Sequence, residues 1–285
     1  MEVLDLSDSL CTELTGIQNR LLNPTKRKFM KKILFLLLLS GLIAHTVSAQ
    51  ERITNEDEAR TVFEEVDERR KSISTEAARM EMVITDSRGR TRTRTMQTWT
   101  QNEGEDTRSL TVFTDPGNVR GTAFLSVREG GNELQKLYLP SVGRIQTISS
   151  SERSDSFMGS DFTYEDLGDQ DPDDFEFKWL EKGDSIYTVR AAKPGSDQYS
   201  SVEFEIDMEK YALKTVRYYD SENNLIKRLE AEKFENVADS LWSPGKMTMY
   251  DLREDRNTSI QWIERSINEP VESWRFTERG LRRGI

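Results

Sequence analysis

The stretch ARMEMVITDSRGRTRTRTMQTWT, residues 78–100, decides the fold class. Its first part places apolar side chains at every second position, and its second part alternates threonine with arginine. Successive side chains of a strand point to opposite faces, so this period of two predicts two β-strands. Ser87-Arg88-Gly89 lies between them and has the residue types of a tight turn. The stretch therefore predicts a β-hairpin.

The same short-strand pattern recurs through the rest of the chain. Turn sequences such as Asp115-Pro116-Gly117 and Ser243-Pro244-Gly245 separate the candidates. Many short strands joined by tight turns predict a mainly β protein with a large antiparallel sheet in up-and-down order. The further candidate strands are 107–114, 121–128, 134–139, 143–149, 175–181, 184–192, 200–207, 212–219, 225–234, 246–253 and 258–265.

Helical patterns flank the predicted sheet. Residues 54–71 carry apolar side chains at helical spacing, acidic residues in the first turns, and Thr54 or Asn55 as a cap. The apolar face of this helix is narrow, so we expect it to lie on a larger body. Residues 269–282 are predicted to close the chain with a short helix or turn.

Residues 30–49 have the pattern of a secretory signal peptide. Two lysines precede a short apolar run, and small residues stand before Gln50, which predicts cleavage after Ala49. The apolar run is short for a transmembrane anchor, which takes about 20 apolar residues. We interpret residues 1–29 as an extended or mis-assigned N-terminus and residues 50–285 as a single domain.

Composition excludes several kinds of chemistry from the exported part. The one cysteine, Cys11, and the one histidine, His45, both precede Gln50. Disulfides, thiol catalysis, Ser-His-Asp triads and His/Cys zinc sites are therefore not expected after cleavage. From Gln50 onward the chain has 34 basic and 47 acidic residues, a net charge of −13. Such a charge disfavours nucleic acid as a partner.

Residues 150–174 interrupt the strand series with a long segment that lacks the period of two. Insertions of this length in a compact domain are often lids or binding loops. We expect Phe157, Met158 and Phe162 to lie over the open sheet, with a short helical piece at 161–167. Candidate walls of an apolar cavity are the strand residues Met80, Met82, Met247, Met249 and Trp262, although methionine is also a common filler of cores.

The acidic residues of this segment leave two other hypotheses open. Asp161, Glu165 and Asp166 could supply the carboxylate pair of a glycoside hydrolase. They could also bind calcium, but they lack the ligand spacing and central glycine of an EF-hand loop. Any acidic loop offers this much, so we predict no catalytic residue, no cofactor and no metal site.

Several blocks of the sequence resemble the bacterial outer membrane lipoprotein-sorting protein family, which is related to LolA. The most specific block is SFMGSDFTYEDL, residues 156–167. The others are DSRGRTRTRTMQTW (86–99), VRGTAFLSV (119–127), LYLPSVGRIQTISSSERSD (137–155) and FTERGLRR (276–283). Their order and spacing cover residues 55–283.

The resemblance implies a half-open β-barrel, lidded by helices and a long loop, over an apolar cavity. It implies a periplasmic, non-enzymatic carrier of a lipid or of a lipoprotein acyl chain between envelope membranes. It further implies a partnership with an inner-membrane transporter of the resistance–nodulation–division type. Two other functions remain open as hypotheses: a carboxylate-dependent hydrolase of envelope glycans, and an adaptor that scaffolds an envelope complex without transport.

Overall fold

The structure, a computed structural model, describes residues 55–238 and 241–284. The predicted signal peptide and the residues before it lie outside the described part. The hairpin predicted from residues 78–100 is formed by β1 (Thr75–Thr85) and β2 (Thr91–Glu103). Asp86 closes its turn by accepting hydrogen bonds from the backbone N–H groups of Arg88 and Arg90, each at 3.0 Å. Gly89 follows with φ of 74°, the left-handed conformation that glycine adopts at no steric cost.

Thirteen antiparallel strands of the described residues form one open sheet. β1 and β2 are followed by β3 (Asp106–Asp115), β4 (Ala123–Glu129), β5 (Asn132–Leu139), β6 (Arg144–Thr147), β7 (Glu176–Lys182), β8 (Ile186–Ala192), β9 (Ser201–Asp207), β10 (Ala212–Tyr219), β11 (Leu225–Ala238), β12 (Leu241–Asp251) and β13 (Arg256–Ile267). The spatial order is β6-β5-β4-β3-β2-β1-β13-β12-β11-β10-β9-β8-β7. The predicted mainly β fold class and up-and-down order are therefore confirmed, and pairing of β1 with β13 joins the two ends of the series.

Alternation along the strands sets the two faces of the sheet. In β9, Val202, Phe204 and Ile206 are buried, while the acidic residues between them are half-buried. One face of the sheet, called the inner face below, carries the larger core, and a smaller core lies on the opposite face. The larger core includes Met82, Ile84, Phe113, Phe124, Phe204, Ile206, Met249 and Ile260.

A helix and the long connection cover the inner face. Helix α1, residues 55–71, buries Ala59 and Phe63 against the sheet. Phe63 packs within 5.5 Å of Phe175 and Phe177, centroid to centroid, and within 4.7 Å of Phe204. The connection between β6 and β7 adds buried aromatic side chains to the same core. The sheet is therefore lidded by a helix and a long loop, as the resemblance implied.

The end of the chain covers the other face. A short 3-10 helix, Ser273–Phe276, leads into helix α2, Glu278–Arg283. Phe276 and Leu281 are buried there against Leu110 and Leu125 of the sheet. The prediction of a short helix or turn over 269–282 is confirmed.

Candidate functional site

An apolar cavity of about 330 Å³ lies between α1, its following turn and the inner face of β10 to β13. Val66 and Ile73 line it from the helix side, and Leu213 and Leu229 line it from the sheet. Its volume is at the small end of the range for ligand pockets, roughly 300–1,000 Å³. The other apolar lining residues are Ala212, Val216, Ala231, Leu241, Trp242, Pro244, Met247 and Trp262.

Trp262 is held in a fixed orientation on the cavity wall. Its indole Nε1 donates a 3.1 Å hydrogen bond to Glu76 Oε1. The same carboxylate oxygen accepts from Arg265 Nε at 3.0 Å, and the Arg265 guanidinium lies 4.9 Å from the centroid of the indole ring. The polar edge of the tryptophan is thus satisfied by protein, which leaves apolar ring surface for the cavity.

The predicted wall residues fall into two groups. Met247 and Trp262 line the cavity. Met80, half-buried, packs against the core and lies opposite Trp262 in the pairing of β1 with β13. Met82 and Met249 have no exposed surface and fill the core. Contact of any of these five residues with a lipid stays a prediction.

The predicted lid residues lie elsewhere in the core. Phe157 and Phe162 are buried, and Phe157 packs against Phe113, Phe124 and Tyr164 with centroids 5.2–5.8 Å apart. Met158 is partly buried against the same cluster. None of the three lines the cavity, and the aromatic side chains of β3 and β4 pack directly against Phe157. Their contact with a lipid therefore stays a prediction without a cavity beside it.

The short helix expected at 161–167 is not formed. Asp166 Oδ2 accepts from the backbone N–H of Thr163 at 2.8 Å, and Thr163 Oγ1 accepts from the N–H of Asp166 at 3.3 Å. Side chains that bond locally to the backbone compete in this way with helix formation. The long connection contains 3-10 turns instead, at Ser150–Glu152, Phe157–Gly159 and Pro172–Asp174.

Ion pairs fasten this connection to the sheet and to α1. Asp166 pairs with Lys227 of β11 at 3.4 Å, with both side chains almost fully buried, and accepts a 2.9 Å hydrogen bond from the Tyr199 hydroxyl. Asp169 pairs with Arg70 of α1 at 2.6 Å. The connection is therefore a clamped cover, and through Asp169 it also holds the helix that roofs the cavity.

Asp161 has the most enclosed carboxylate among these anchors. It accepts a 2.6 Å hydrogen bond from Thr258 Oγ1 and lies 2.9 Å from Arg256 Nε, with its side chain 1% exposed. Burial raises the pKa of this carboxyl above its ordinary value of 3.8, although Thr258 and Arg256 favour the charged form.

We expect Asp161 to make the stability of the protein pH-dependent. The folded state binds its proton more tightly than the unfolded chain, so its stabilising contribution is present below the unfolded pKa and is lost as the pH rises through the folded pKa. Relative to Asp161→Asn, the free energy of unfolding of the wild type should therefore fall as the pH rises above 3.8. Urea unfolding of both proteins across this range measures the difference. A difference that stays constant or grows with pH would contradict the assignment.

The carboxylates of the glycan-hydrolase hypothesis each form ion pairs and hydrogen bonds within the fold. Asp161 and Asp166 are held as described above, and Glu165 pairs with Lys193 at 3.0 Å while accepting from Ser196 Oγ at 3.0 Å.

Within residues 55–238 and 241–284 no cluster of three or more acidic, histidine or cysteine side chains is arranged to hold a metal ion. Across the same residues, no helix has the length and apolar character needed to cross a bilayer.

A second, polar cleft of about 280 Å³ is lined by the clamped connection together with residues of the β4–β5 and β8–β9 turns. Arg128, Arg153 and Lys193 line it together with five carboxylates. Arg128 is paired with Asp174 at 3.0 Å and Arg153 with Glu133 at 2.9 Å. These internal pairs account for the charge of the cleft, so the apolar cavity is the better candidate site.

Comparison with known proteins agrees with this architecture. A family model described as an uncharacterized protein matches residues 105–283, more than half of the chain. The fold, an open antiparallel sheet covered by a helix and a long loop, is LolA-like. The chain belongs to the family that this model describes, and it is similar to outer membrane lipoprotein-sorting and LolA superfamily structures. No curated protein matches it.

Three solved structures show the likeness in detail. A domain described as that of an outer membrane lipoprotein-sorting protein from Vibrio parahaemolyticus is 26% identical, with a TM-score of 0.75, and the match covers 80% of this chain and 100% of that one. A DUF1329 family protein from Desulfovibrio piger is 23% identical (TM-score 0.73; 80% and 99% covered). A LolA superfamily protein from Nitrosomonas europaea is 18% identical (TM-score 0.60; 77% and 97% covered) and shares the fold.

Proposed function

We propose that this protein is a periplasmic carrier, built on the single domain 50–285, that binds the acyl chain of a lipid or lipoprotein in the cavity under α1. The proposal extends to delivery between the two envelope membranes. The observation that carries it is the cavity itself, a mostly apolar space between a helix and an open sheet. Methionine and tryptophan on the wall suit a ligand of variable apolar shape, because methionine is flexible and polarisable.

The free-energy cost of exposing an acyl chain to water explains why its transfer between membranes needs a carrier protein. Each methylene exposed to water costs about 0.8 kcal/mol, so a long acyl chain does not leave a membrane unaided. The cavity offers apolar contacts on both sides of a chain, from Val66 and Ile73 above and from Leu213 and Leu229 below. Its size favours one acyl chain at a time over the several chains of a whole lipoprotein anchor.

The charges at the cavity suit a ligand with a polar end. Arg70, Glu76 and Lys214 are the charged lining residues. Arg70 and Glu76 are committed to ion pairs with Asp169 and Arg265. Lys214 is exposed and is not among the ion-paired groups of the described residues. An anionic headgroup or carboxylate beside Lys214 would keep its charge at the surface while the chain enters the cavity.

Binding of a fluorescent long-chain fatty acid tests the proposal. We expect saturable binding with one site per chain and competition by an unlabelled fatty acid, measured by the rise in fluorescence. Protein purified without detergent and examined by native mass spectrometry should also carry co-purified lipid. A protein that is empty on purification and takes up no fatty acid would favour the adaptor hypothesis.

The proposed transporter partner has narrower support. An inner-membrane transporter of the resistance–nodulation–division type follows from the family resemblance alone. We include it because a carrier needs a donor or an acceptor. Cross-linking in membranes of the native host, followed by identification of the captured transporter, tests this part separately from lipid binding.

A further inference from the structure

The C-terminal segment forms a basic and aromatic surface that we call the arginine patch, consisting of Trp274, Arg275, Arg279, Arg282 and Arg283. Gly280 and Leu281 of α2 are buried against the sheet, and the three arginines around them are exposed. The ion pairs found in the described residues leave these three arginines without a carboxylate partner. A local concentration of positive charge is notable in a chain whose formal net charge is −11.

Trp274, which is half-buried, gives the patch its aromatic part, and Trp99 is buried beneath Arg275. The Arg275 guanidinium lies 4.1 Å from the ring centroid of Trp99 and 4.9 Å from that of Trp274. The Arg283 guanidinium also lies over the Trp274 ring, 4.6 Å from its centroid. Tryptophan beside arginine is the composition that proteins present to the headgroup region of a bilayer.

Nearby acidic groups are few and already neutralised. Glu272 pairs with Arg275 at 2.9 Å, and Glu278 pairs with Lys136 at 2.6 Å. The neighbouring Arg282 further lowers the pKa of Glu278, together with Lys136 as the main cause. Both carboxylates are therefore paired with basic groups other than the three exposed arginines. The positive charge of these arginines remains at the surface.

The patch and the cavity lie on opposite faces of the sheet. Trp99, which contacts Arg275, directly precedes Thr100, which lines the cavity on the other face of β2. The C-terminal segment starts at the same end of the sheet, where the Thr75 hydroxyl donates to the carbonyl of Glu269. Arg282 of α2 lies farther along the strands, beside the β5–β6 turn, where it donates to the carbonyl of Gly143 at 3.4 Å.

We infer that the arginine patch docks the protein on a membrane surface that contains anionic phospholipid headgroups. Each arginine close to such a surface contributes roughly 1 kcal/mol, so three together change the binding constant on the order of 100-fold. The inference extends the proposed carrier function, because a carrier must meet a membrane to load or unload. The mean charge of the chain opposes such binding, which makes a local patch necessary.

Co-sedimentation with lipid vesicles tests the inference. The wild-type protein, from Gln50 onward, should bind vesicles that mix phosphatidylglycerol with phosphatidylcholine at low salt and should not bind pure phosphatidylcholine. The triple variant Arg279→Gln/Arg282→Gln/Arg283→Gln should lose at least tenfold in affinity. A matched control, Arg88→Gln/Arg92→Gln/Arg253→Gln, removes the same charge from exposed positions elsewhere and should bind like the wild type.

Three outcomes would overturn the inference: no binding to anionic vesicles, equal binding to neutral vesicles, or equal losses in the two triple variants. The first of these would point to an acidic protein as the occupant of the patch. Circular dichroism of both variants checks that they fold. Fatty acid binding in solution, measured in parallel, is expected to be unchanged in both, so failure of docking is distinguished from failure of the carrier proposal.

Discussion

Ala231→Trp is expected to abolish most acyl-chain binding while leaving the protein folded. Ala231 lies on β11 and lines the cavity, opposite Met247 of β12. Tryptophan carries a large, rigid indole ring in place of a methyl group, so it would occupy space that the ligand needs in a cavity of about 330 Å³. If even two methylenes of the ligand are displaced, the loss is about 1.6 kcal/mol, or more than tenfold in the dissociation constant.

The measurement is a titration with fluorescent fatty acid, and its control is Thr93→Trp. Thr93 is exposed on β2, outside the residues that line the cavity, so the control adds the same side chain without filling the site. We expect the control to bind like the wild type. Unchanged affinity in Ala231→Trp, with retained thermal stability, would place the ligand elsewhere.

Lys227→Met is expected to lower the free energy of unfolding by about 3 kcal/mol. Lys227 is 3% exposed in its side chain and Asp166 2%, so the substitution leaves a buried carboxylate without its countercharge. Removing one partner of a buried ion pair costs about 3–5 kcal/mol, and we expect the lower end because Tyr199 and the backbone of Thr163 still donate to Asp166.

Urea unfolding measures this effect, and two comparisons make it specific. Lys178→Met removes the exposed partner of Glu176 and should cost less than about 1 kcal/mol. The double variant Lys227→Met/Asp166→Asn should be more stable than Lys227→Met alone, since no buried charge is left unpaired. A small loss in Lys227→Met would show that the long connection is held by its aromatic contacts and not by this pair.

Much of the fold could be predicted because it depends on local patterns. The period of two in β9 indicated which of its side chains are buried, and the glycine-containing turn in 87–89 indicated the hairpin. The amphipathic pattern over 54–71 predicted α1, which the structure describes over residues 55–71. Each of these signals lies within a few neighbouring residues, where backbone geometry fixes which side chains share a face.

The site was harder to predict because its walls come from distant segments and from irregular strands. Register shifts occur between Leu213 and Thr215 of β10 and between Arg79 and Met80 of β1. A bulge changes which side chains share a face, and no pattern in the sequence marked these two. Trp242 and Tyr211, which also line the cavity, were missed because both precede the strands predicted at 246–253 and 212–219. An aromatic residue just before a strand pattern is a usable signal.

The long connection was placed correctly over the sheet, but its aromatic residues were expected above a void. Whether Phe157 meets a void depends on the facing residues, and these are Phe113 and Phe124, more than thirty positions earlier in the chain. The sequence identified the acidic residues of the connection only as a group and did not indicate their partners. Their partners, such as Lys227 and Arg256, lie on strands whose register the sequence does not reveal.

Quenching of tryptophan fluorescence by a brominated fatty acid tests the central claim most directly, because bromine quenches only at close contact. Trp242 and Trp262 line the cavity, whereas Trp99 and Trp274 contact Arg275 on the other face of the sheet. We predict saturable quenching in the wild type and in Trp99→Phe/Trp274→Phe, and its loss in Trp242→Phe/Trp262→Phe when binding is followed independently. Quenching that persists in Trp242→Phe/Trp262→Phe, or that is absent from the wild type, would contradict an acyl chain in this cavity.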